Sequence, residues 1–86
     1  MKYIFVDESW EDYVYWQQTD KKKLKRINDL LKDISRNPFD GIGKPEPLKF
    51  KYAGFWSRRI DEEHRLIYQY RDGEILIAKC RFHYDA

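Results

Sequence analysis

The chain has 86 residues, enough for one domain with a single core (residues 1–86) and too few for a second. Its 17 Lys and Arg against 15 Asp and Glu give a net charge of +2, too low for a protein that coats bulk nucleic acid. One cysteine excludes an intramolecular disulfide framework and, with only two histidines, an ordinary structural zinc site, so we expect no cofactor. The absence of a signal-peptide pattern and of an apolar run of membrane-spanning length predicts a soluble, cytoplasmic protein with no membrane partner.

A short strand and a first helix are predicted at the N-terminus. Residues 2–6 (KYIFV) are β-branched and aromatic, as is typical of a strand, and Asp7 follows them. Asp7 can cap a helix that runs from about residue 8 to residue 18. The residues predicted to form its core-facing stripe, at helical spacing, are Trp10, Tyr13, Val14 and Gln17.

A second helix is predicted directly afterwards. Thr19 and Asp20 offer N-cap oxygens, and Pro38 ends the helix because proline biases the preceding residue away from helical geometry. Its apolar stripe repeats every 3.6 residues and comprises Leu24, Ile27, Leu30, Leu31 and Ile34. Residues 20–36 contain seven basic and three acidic side chains. Such a helix suits contact with a polyanion, and a solvated helix face explains the same charges equally well.

Residues 37–54 form a long segment without periodicity that includes all three prolines and three of the four glycines. Irregular loops of this length are usually functional or disordered. Leu48, Phe50 and Tyr52 can pin the segment onto the core, which favours an ordered loop.

Within this loop, Glu46 lies between Pro45 and Pro47, with Lys44 and Lys49 on either side. Proline fixes φ and narrows the conformations of its neighbours, while the lysines favour an ionised carboxylate. A rigid, ionised carboxylate can act as a general base. The alternative is an ordinary solvent-exposed glutamate.

Three strands complete the chain, at about residues 55–60, 65–70 and 74–82. Asp72-Gly73 predicts a tight hairpin between the last two, and the polar residues 61–63 predict a turn between the first two. The predicted order is β-α-α-β-β-β. This is an α+β fold with two N-terminal helices packed on one face of a small, mainly antiparallel sheet.

Several strand residues are candidates for chemistry. Arg58 and Arg59 are consecutive, so only one of them can point to a given face of the sheet. Arg65 begins an otherwise apolar strand and either pairs with a carboxylate of the 61–63 turn or lines a cleft. His64, beside the acidic turn, is interpreted as a surface or strand-edge residue.

The last predicted strand contains Cys80, interpreted as a small buried hydrophobic residue, and leads into residues 81–84 (RFHY). If the strand holds this tail in the sheet, His83 is an anchored imidazole and a candidate proton donor or acceptor. Motifs of nucleotide-binding loops, zinc proteases and serine hydrolases are absent. Glu46, His83 and several guanidinium groups remain, which are the groups that metal-independent RNA cleavage needs.

Five motifs occur in order along the chain: residues 8–13 (ESWEDY), 44–49 (KPEPLK), 54–60 (GFWSRRI), 63–66 (EHRL) and 80–84 (CRFHY). Together they resemble the YoeB-type toxins (the Txe/YoeB family), which belong to the RelE/ParE superfamily of bacterial type II toxin–antitoxin systems. The resemblance implies a RelE-like fold of the microbial-RNase type.

The resemblance also implies an activity and partners. It implies an endoribonuclease that enters the A site of the 70S ribosome, cleaves the mRNA codon there and inhibits translation. It further implies a YefM-like antitoxin that neutralises the toxin, and repression of the shared operon through binding of the complex to operator DNA. A toxin homodimer is suggested as well.

Transferred position by position, the resemblance implies that Glu46 is the general base, His83 the general acid and Arg65 the cation that stabilises the phosphorane. The residues implied to hold the phosphate and the scissile nucleotide are Lys49, Arg59 and Tyr84. Phe50 departs from the pattern, because a member of the family has a histidine there; the Glu46, Arg65 and His83 set is intact.

Two alternatives keep the fold and change the function. ParE-like relatives poison DNA gyrase and lack this base–acid pair, so the presence of both Glu46 and His83 favours RNA cleavage. In the other alternative the chain is a small, non-enzymatic RNA- or protein-binding module, in which His83 and Tyr84 only stack on bases.

Overall fold

The computed structural model of the protein describes residues 1–84. They form β1 (Lys2–Phe5), α1 (Asp7–Thr19), α2 (Lys21–Arg36), β2 (Glu46–Pro47), β3 (Trp56–Arg59), β4 (Arg65–Arg71) and β5 (Glu74–Lys79). A turn of 3₁₀ helix, Phe50–Tyr52, lies between β2 and β3. Neither of the two helices in residues 1–84 is long and apolar enough to cross a membrane.

The strands form one sheet in the order β1-β5-β4-β3-β2. Strands β2 to β5 are an antiparallel meander, and β1 lies parallel to β5 at one edge. Both helices pack on one face, and the core consists of Trp16, Ile27, Leu30, Leu31, Ile34, Ile60, Leu66, Tyr68, Ile75, Ile77 and Cys80. The predicted α+β class is therefore confirmed, with β2 as an additional short edge strand.

Helix α1 begins differently from its prediction. Its N-cap residue is Val6, whose N–H donates to Ser9 Oγ over 3.0 Å, so Asp7 lies inside the first turn. Ser9 Oγ also donates to the Ile77 carbonyl on β5 over 2.6 Å. A side chain from inside the helix therefore satisfies the helix start and ties it to the sheet.

The face that α1 buries also differs from its prediction. The buried residues are Ser9 and Trp16, whereas Trp10 is 51% exposed. Trp16 Nε1 donates to the Cys80 carbonyl over 2.7 Å. The hydrogen bonds of Ser9 and Trp16 turn their face toward the sheet, and a pattern based on apolar residues alone does not detect them.

Helix α2 agrees with its prediction. Asp20 Oδ1 accepts the N–H groups of Lys22 and Lys23 over 3.0 and 3.2 Å, which satisfies the helix N-terminus. The helix ends at Arg36, before Pro38. Of the predicted stripe, the buried residues are Ile27, Leu30, Leu31 and Ile34, and Leu24 is half-buried.

The loop 37–54 is ordered, as expected, because it contains β2 and the 3₁₀ turn. Leu48 is buried, and its N–H donates to the Phe55 carbonyl over 2.9 Å. Phe50 instead is 79% exposed, so the prediction that it pins the loop to the core is wrong. It begins the 3₁₀ turn with φ of 58°, a conformation stabilised here by backbone bonds rather than by burial of the ring.

Arg58 holds the first part of this loop against α2. Its side chain is fully buried, and Nη1 donates to Asp33 Oδ2 over 2.5 Å. The guanidinium also donates to the carbonyls of Asn37, Asp40 and Ile42. The hydrogen bond from Arg58 lowers the pKa of Asp33 from its usual 3.8.

Strand β5 ends at Lys79, so the prediction that this strand extends to residue 82 is wrong. Cys80, buried as predicted, donates its N–H to Asp12 Oδ2 over 3.0 Å, and its carbonyl accepts from Trp16 Nε1. Helix α1 therefore takes the backbone groups that would continue the strand. The tail that contains His83 leaves the sheet and is held by other contacts.

Candidate active site

Glu46, Arg59 and Arg65 lie on the face of the sheet opposite the helices. In the strand register, Glu46 is opposite Ser57, and Ser57 is opposite Ile67. Arg59 is opposite Arg65 in the same β3–β4 pair, two residues further along. Directly paired residues point to the same face, and residues two apart in a strand do so as well. The three charged side chains therefore belong to the same face of the sheet.

The register also gives the scale of this arrangement. With strands about 4.8 Å apart and a rise of about 3.3 Å per residue, the Cα atoms of Glu46 and Arg65 are roughly 12 Å apart. Within residues 1–84, Glu46 forms no ion pair with a lysine or arginine. In the same part of the chain, no three His, Cys, Asp or Glu side chains are placed to hold a metal ion.

Arg65 is 8% exposed, and part of its guanidinium is used within the β3–β4 turn. Its Nη1 donates to the carbonyls of Asp61, Glu62 and His64 over 2.7, 3.2 and 3.1 Å. Of the two predicted alternatives, pairing with a carboxylate of this turn is not observed within residues 1–84, where the partners of Nη1 are backbone carbonyls. The other guanidinium N–H groups have no acceptor within residues 1–84.

A cavity of about 220 Å³ lies beside β2 and connects the loop with the tail. Its lining residues are Glu46, Pro47, Leu48, Lys49, Phe50 and Tyr84. The Tyr84 ring packs edge-on against Tyr52, with centroids 6.1 Å apart. The cavity is smaller than the roughly 300 Å³ of typical small-molecule pockets, which suits one unit of a longer ligand.

A second cavity, of about 360 Å³, is larger and mainly apolar. Its lining residues are Tyr3, Phe5, Tyr13, Asn28, Leu31 and Lys32. It contains none of the predicted site residues and no carboxylate–histidine combination. We therefore place the candidate active site at the smaller cavity, which is the more polar of the two.

His83 lies next to the smaller cavity. Its imidazole is exposed and stacks on the Tyr84 ring, with centroids 4.7 Å apart and planes at 20°. The preceding residue, Phe82, accepts the Arg65 N–H at its carbonyl over 3.0 Å. The tail therefore runs from Arg65 to the cavity of Glu46, and it brings all three predicted catalytic residues to one region.

His64 was interpreted as a surface or strand-edge residue; it lies directly before β4, but it is buried, so the surface interpretation is wrong. The residue is 9% exposed, and its ring packs edge-on against Trp16 with centroids 4.8 Å apart. His64 Nδ1 accepts the Phe82 N–H over 2.7 Å. The sequence signal was the adjacency of His64 and Arg65, but only tertiary packing reveals that both contact the tail.

Asp61 organises the turn that contains these two residues. Burial alone raises the pKa of Asp61, but hydrogen bonds from Lys23 Nζ and from the N–H groups of His64 and Glu63 outweigh it and hold the pKa at about 2. The ordinary value is 3.8. The ionised carboxylate thus links the β3–β4 turn to α2.

The low pKa of Asp61 predicts a pH dependence of stability. Because the folded-state pKa lies below the unfolded one, the contribution is complete above about pH 5 and is lost progressively as the pH falls through 2. We expect Asp61→Asn to lower the free energy of unfolding at pH 7 by about 1 kcal/mol, since this group is screened by solvent. Urea unfolding of the wild type and of Asp61→Asn at pH 7 and at pH 2.5 tests this. If the two proteins differ in free energy of unfolding by the same amount at both pH values, the prediction is contradicted.

Comparison with known proteins decides the family. The model of the YoeB-like toxins of bacterial type II toxin–antitoxin systems matches residues 5–84. The chain belongs to this family. Toxin YoeB of Escherichia coli strain K12 is 62% identical over 84 residues, which cover 98% of this chain and 100% of the relative. Toxin YoeB of Streptomyces coelicolor is 52% identical with the same two coverages.

Solved structures of YoeB proteins have the same fold. The YoeB/ParE toxin from Agrobacterium tumefaciens superposes with a TM-score of 0.94 at 49% identity, covering 98% of this chain and 100% of that one. YoeB in the heterotetrameric YoeB–YefM complex from Staphylococcus aureus gives 0.92 at 52% identity, covering 98% of each chain. A YoeB dimer from S. aureus gives the same values.

Proposed function

We propose that this YoeB-family toxin is an endoribonuclease that cleaves mRNA in the ribosomal A site and thereby inhibits translation. The observation that supports the proposal best is the cavity lined by Glu46, Lys49 and Tyr84, next to His83. A carboxylate, an ammonium, a phenol and an imidazole from two distant parts of the chain converge there. The backbone N–H of Arg65 holds the tail at the Phe82 carbonyl.

In the proposed reaction, Glu46 removes the proton from the ribose 2′-OH, whose oxygen attacks the adjacent phosphorus. Arg65 stabilises the charge of the pentacoordinate phosphorane. As the bond from phosphorus to the 5′-oxygen breaks, His83 donates a proton to that oxygen. Lys49 and Arg59 hold the phosphate, since both are exposed cations beside this face.

Tyr84 has a separate proposed role. Its ring is half-buried against Tyr52 and stacked on the His83 imidazole, so its position is defined on two sides. We assign it to support of the scissile nucleotide by stacking or by its hydroxyl. Phe50, on the rim of the same cavity, has no group for proton transfer and offers an exposed ring to a base.

The proposed partners follow from the relatives. Because a YoeB–YefM complex and a YoeB dimer of S. aureus are known, we propose a YefM-like antitoxin and a toxin homodimer for this chain. We propose further that the toxin–antitoxin complex binds operator DNA and represses its operon. Ribosomal RNA and mRNA are polyanions, and the basic residues of α2 and of the candidate site suit them.

The chemistry of the product ends tests the proposed reaction. Attack by the 2′-oxygen leaves a 2′,3′-cyclic phosphate or 3′-phosphate on one fragment and a 5′-hydroxyl on the other. We expect these ends when purified protein acts on mRNA bound to 70S ribosomes with a defined A-site codon. Fragments with 5′-phosphates indicate attack by water and contradict the assigned roles of Glu46 and His83.

An experiment in growing bacteria distinguishes the alternative functions. Expression of the toxin should arrest growth with cleaved mRNA and intact chromosomal DNA, and co-expression of the antitoxin should prevent both effects. Growth arrest with intact mRNA and DNA damage instead indicates gyrase poisoning. Binding of RNA without cleavage on programmed ribosomes indicates a non-enzymatic module.

A further inference from the structure

We propose that His64 is a positioning residue of the active site: it holds the Phe82 backbone and thereby fixes the tail that presents His83. This inference rests on the proposed role of His83 in RNA cleavage. No role for His64 follows from the motifs themselves, in which it is a neighbour of Arg65. The contacts that support the inference lie within residues 61–84, apart from one contact with Trp16 on α1.

Both backbone polar groups of Phe82 are held by the consecutive residues His64 and Arg65. The backbone N–H of Phe82 donates to His64 Nδ1 over 2.7 Å. The Phe82 carbonyl accepts the backbone N–H of Arg65 over 3.0 Å. Phe82 has a φ of 65°, a backbone conformation that residues other than glycine rarely adopt. Such a conformation persists only where surrounding contacts define it, and these two hydrogen bonds are such contacts.

His64 is itself fixed on several sides. Its backbone N–H donates to Asp61 Oδ1 over 2.6 Å. Its ring packs against the ring of Trp16 and against the ring of Phe82, whose centroid is 5.8 Å away. Since Nδ1 accepts a hydrogen bond, the ring proton is on Nε2, which lies 3.5 Å from a Glu63 carboxylate oxygen. The acceptor for the tail is therefore preorganised.

The arrangement joins two of the proposed catalytic groups. Arg65 Nη1 binds the His64 carbonyl, and the Arg65 N–H binds the residue that precedes His83. The positions of the guanidinium and of the imidazole thus depend on the same turn. Because a displacement of about 1 Å can reduce a reaction rate about 10²-fold, loss of the His64 contact should affect turnover more than binding.

Two substitutions separate the hydrogen bond from the packing. His64→Phe keeps a flat ring against Trp16 and removes the acceptor, whereas His64→Asn loses the ring and places an amide oxygen near the position of Nδ1. Three quantities are measured for each full-length variant: hydrogen exchange of the Phe82 amide by NMR, thermal unfolding, and kcat and KM for mRNA cleavage on programmed ribosomes.

We expect His64→Phe to lose protection of the Phe82 amide, to keep the protection of core amides such as Leu66 and Ile77, and to show a kcat roughly 10- to 100-fold lower with little change in KM. His64→Asn should regain protection and most of kcat despite its smaller side chain. Restoration by asparagine distinguishes a positioning role from general loss of stability.

Retained protection of Phe82 and a wild-type kcat in His64→Phe would overturn the inference. Lost protection with a wild-type kcat would overturn it too, since the tail position then has no effect on turnover. If the wild-type protein cleaves no mRNA, the proposed function fails, and amide exchange alone still decides whether His64 holds the tail.

Discussion

Glu46→Gln and His83→Gln should each cleave ribosome-bound mRNA about 10²- to 10⁴-fold more slowly than the wild-type protein, because each removes one partner of general acid–base catalysis. Glutamine is isosteric with Glu46 and leaves the β2–β3 pairing with Ser57 in place. Neither side chain is buried, so stability should be unchanged. Single-turnover cleavage on programmed ribosomes measures the effect.

Glu11→Gln is the matched control for Glu46→Gln. Glu11 is an exposed glutamate on α1 that forms no ion pair within residues 1–84, so its neutralisation changes the net charge by the same amount. It should cleave at the wild-type rate. The double variant Glu46→Gln with His83→Gln should be little slower than either single variant, since base and acid act in one reaction.

Ribosome binding supplies the second control. Both variants should bind ribosomes and antitoxin with unchanged affinity, which assigns the loss to turnover. A wild-type cleavage rate in either variant removes that residue from the mechanism. A loss of ribosome affinity parallel to the loss of rate assigns the residue to binding.

The sequence predicted the elements that depend on local patterns. Helix α2 has a clean apolar period and a capping aspartate, and both are observed. The meander of β3 to β5 follows from Asp72-Gly73 and from a polar turn at residues 61–63. In these segments, local propensity and tertiary packing favour the same conformation.

Errors occurred where a polar tertiary contact determines the structure. Ser9 and Trp16 are buried because they bind carbonyls of the last strand and tail, although the apolar pattern of α1 favoured a face with Trp10. Strand β5 ends early because the Cys80 N–H binds Asp12 on α1. Such partners are 64 to 68 residues apart in sequence, and periodicity contains no information about them.

In the candidate site, too, some residues were predicted from sequence motifs, whereas others depend on tertiary contacts that the sequence does not reveal. The sequence motifs pointed to Glu46, Arg65 and His83, and the sheet register explains why the first two share a face with Arg59. The support of the tail by His64 could not be predicted, since a histidine beside three acidic residues normally suggests a solvent-exposed turn. Only the fold places its ring between Trp16 and Phe82.

Arg58→Met should lower the free energy of unfolding by about 3–5 kcal/mol, because it removes the hydrogen bonds of a buried charged group, and each such bond contributes about 1.5–3 kcal/mol. The Arg58 side chain is fully buried, and its five hydrogen-bond partners are Asp33, Asn37, Asp40, Ile42 and Tyr68. Small domains have only about 5–15 kcal/mol of stability, so the loss is large. Urea unfolding at pH 7 measures it.

Arg71→Met is the control for Arg58→Met: Arg71 is an exposed arginine at the end of β4, and its loss should change stability by less than about 0.5 kcal/mol. Arg58→Lys should be intermediate, because one ammonium cannot reach all partners of the planar guanidinium. Equal stability of Arg58→Met and wild type would show that the Arg58 cluster, which is Arg58 with its five hydrogen-bond partners, contributes nothing to the free energy of unfolding.

The Arg58 cluster also matters for the candidate site, because it fixes the loop segment that leads into β2. Gly41 lies against the Asp33 carboxylate, where a Cβ atom would collide with Oδ2, and the Gly43 carbonyl accepts the Arg59 N–H over 2.7 Å. Arg58→Lys should therefore reduce cleavage even under conditions where the protein is fully folded. Full activity of folded Arg58→Lys would show that pairing of β2 with β3 positions Glu46 without help from the buried arginine.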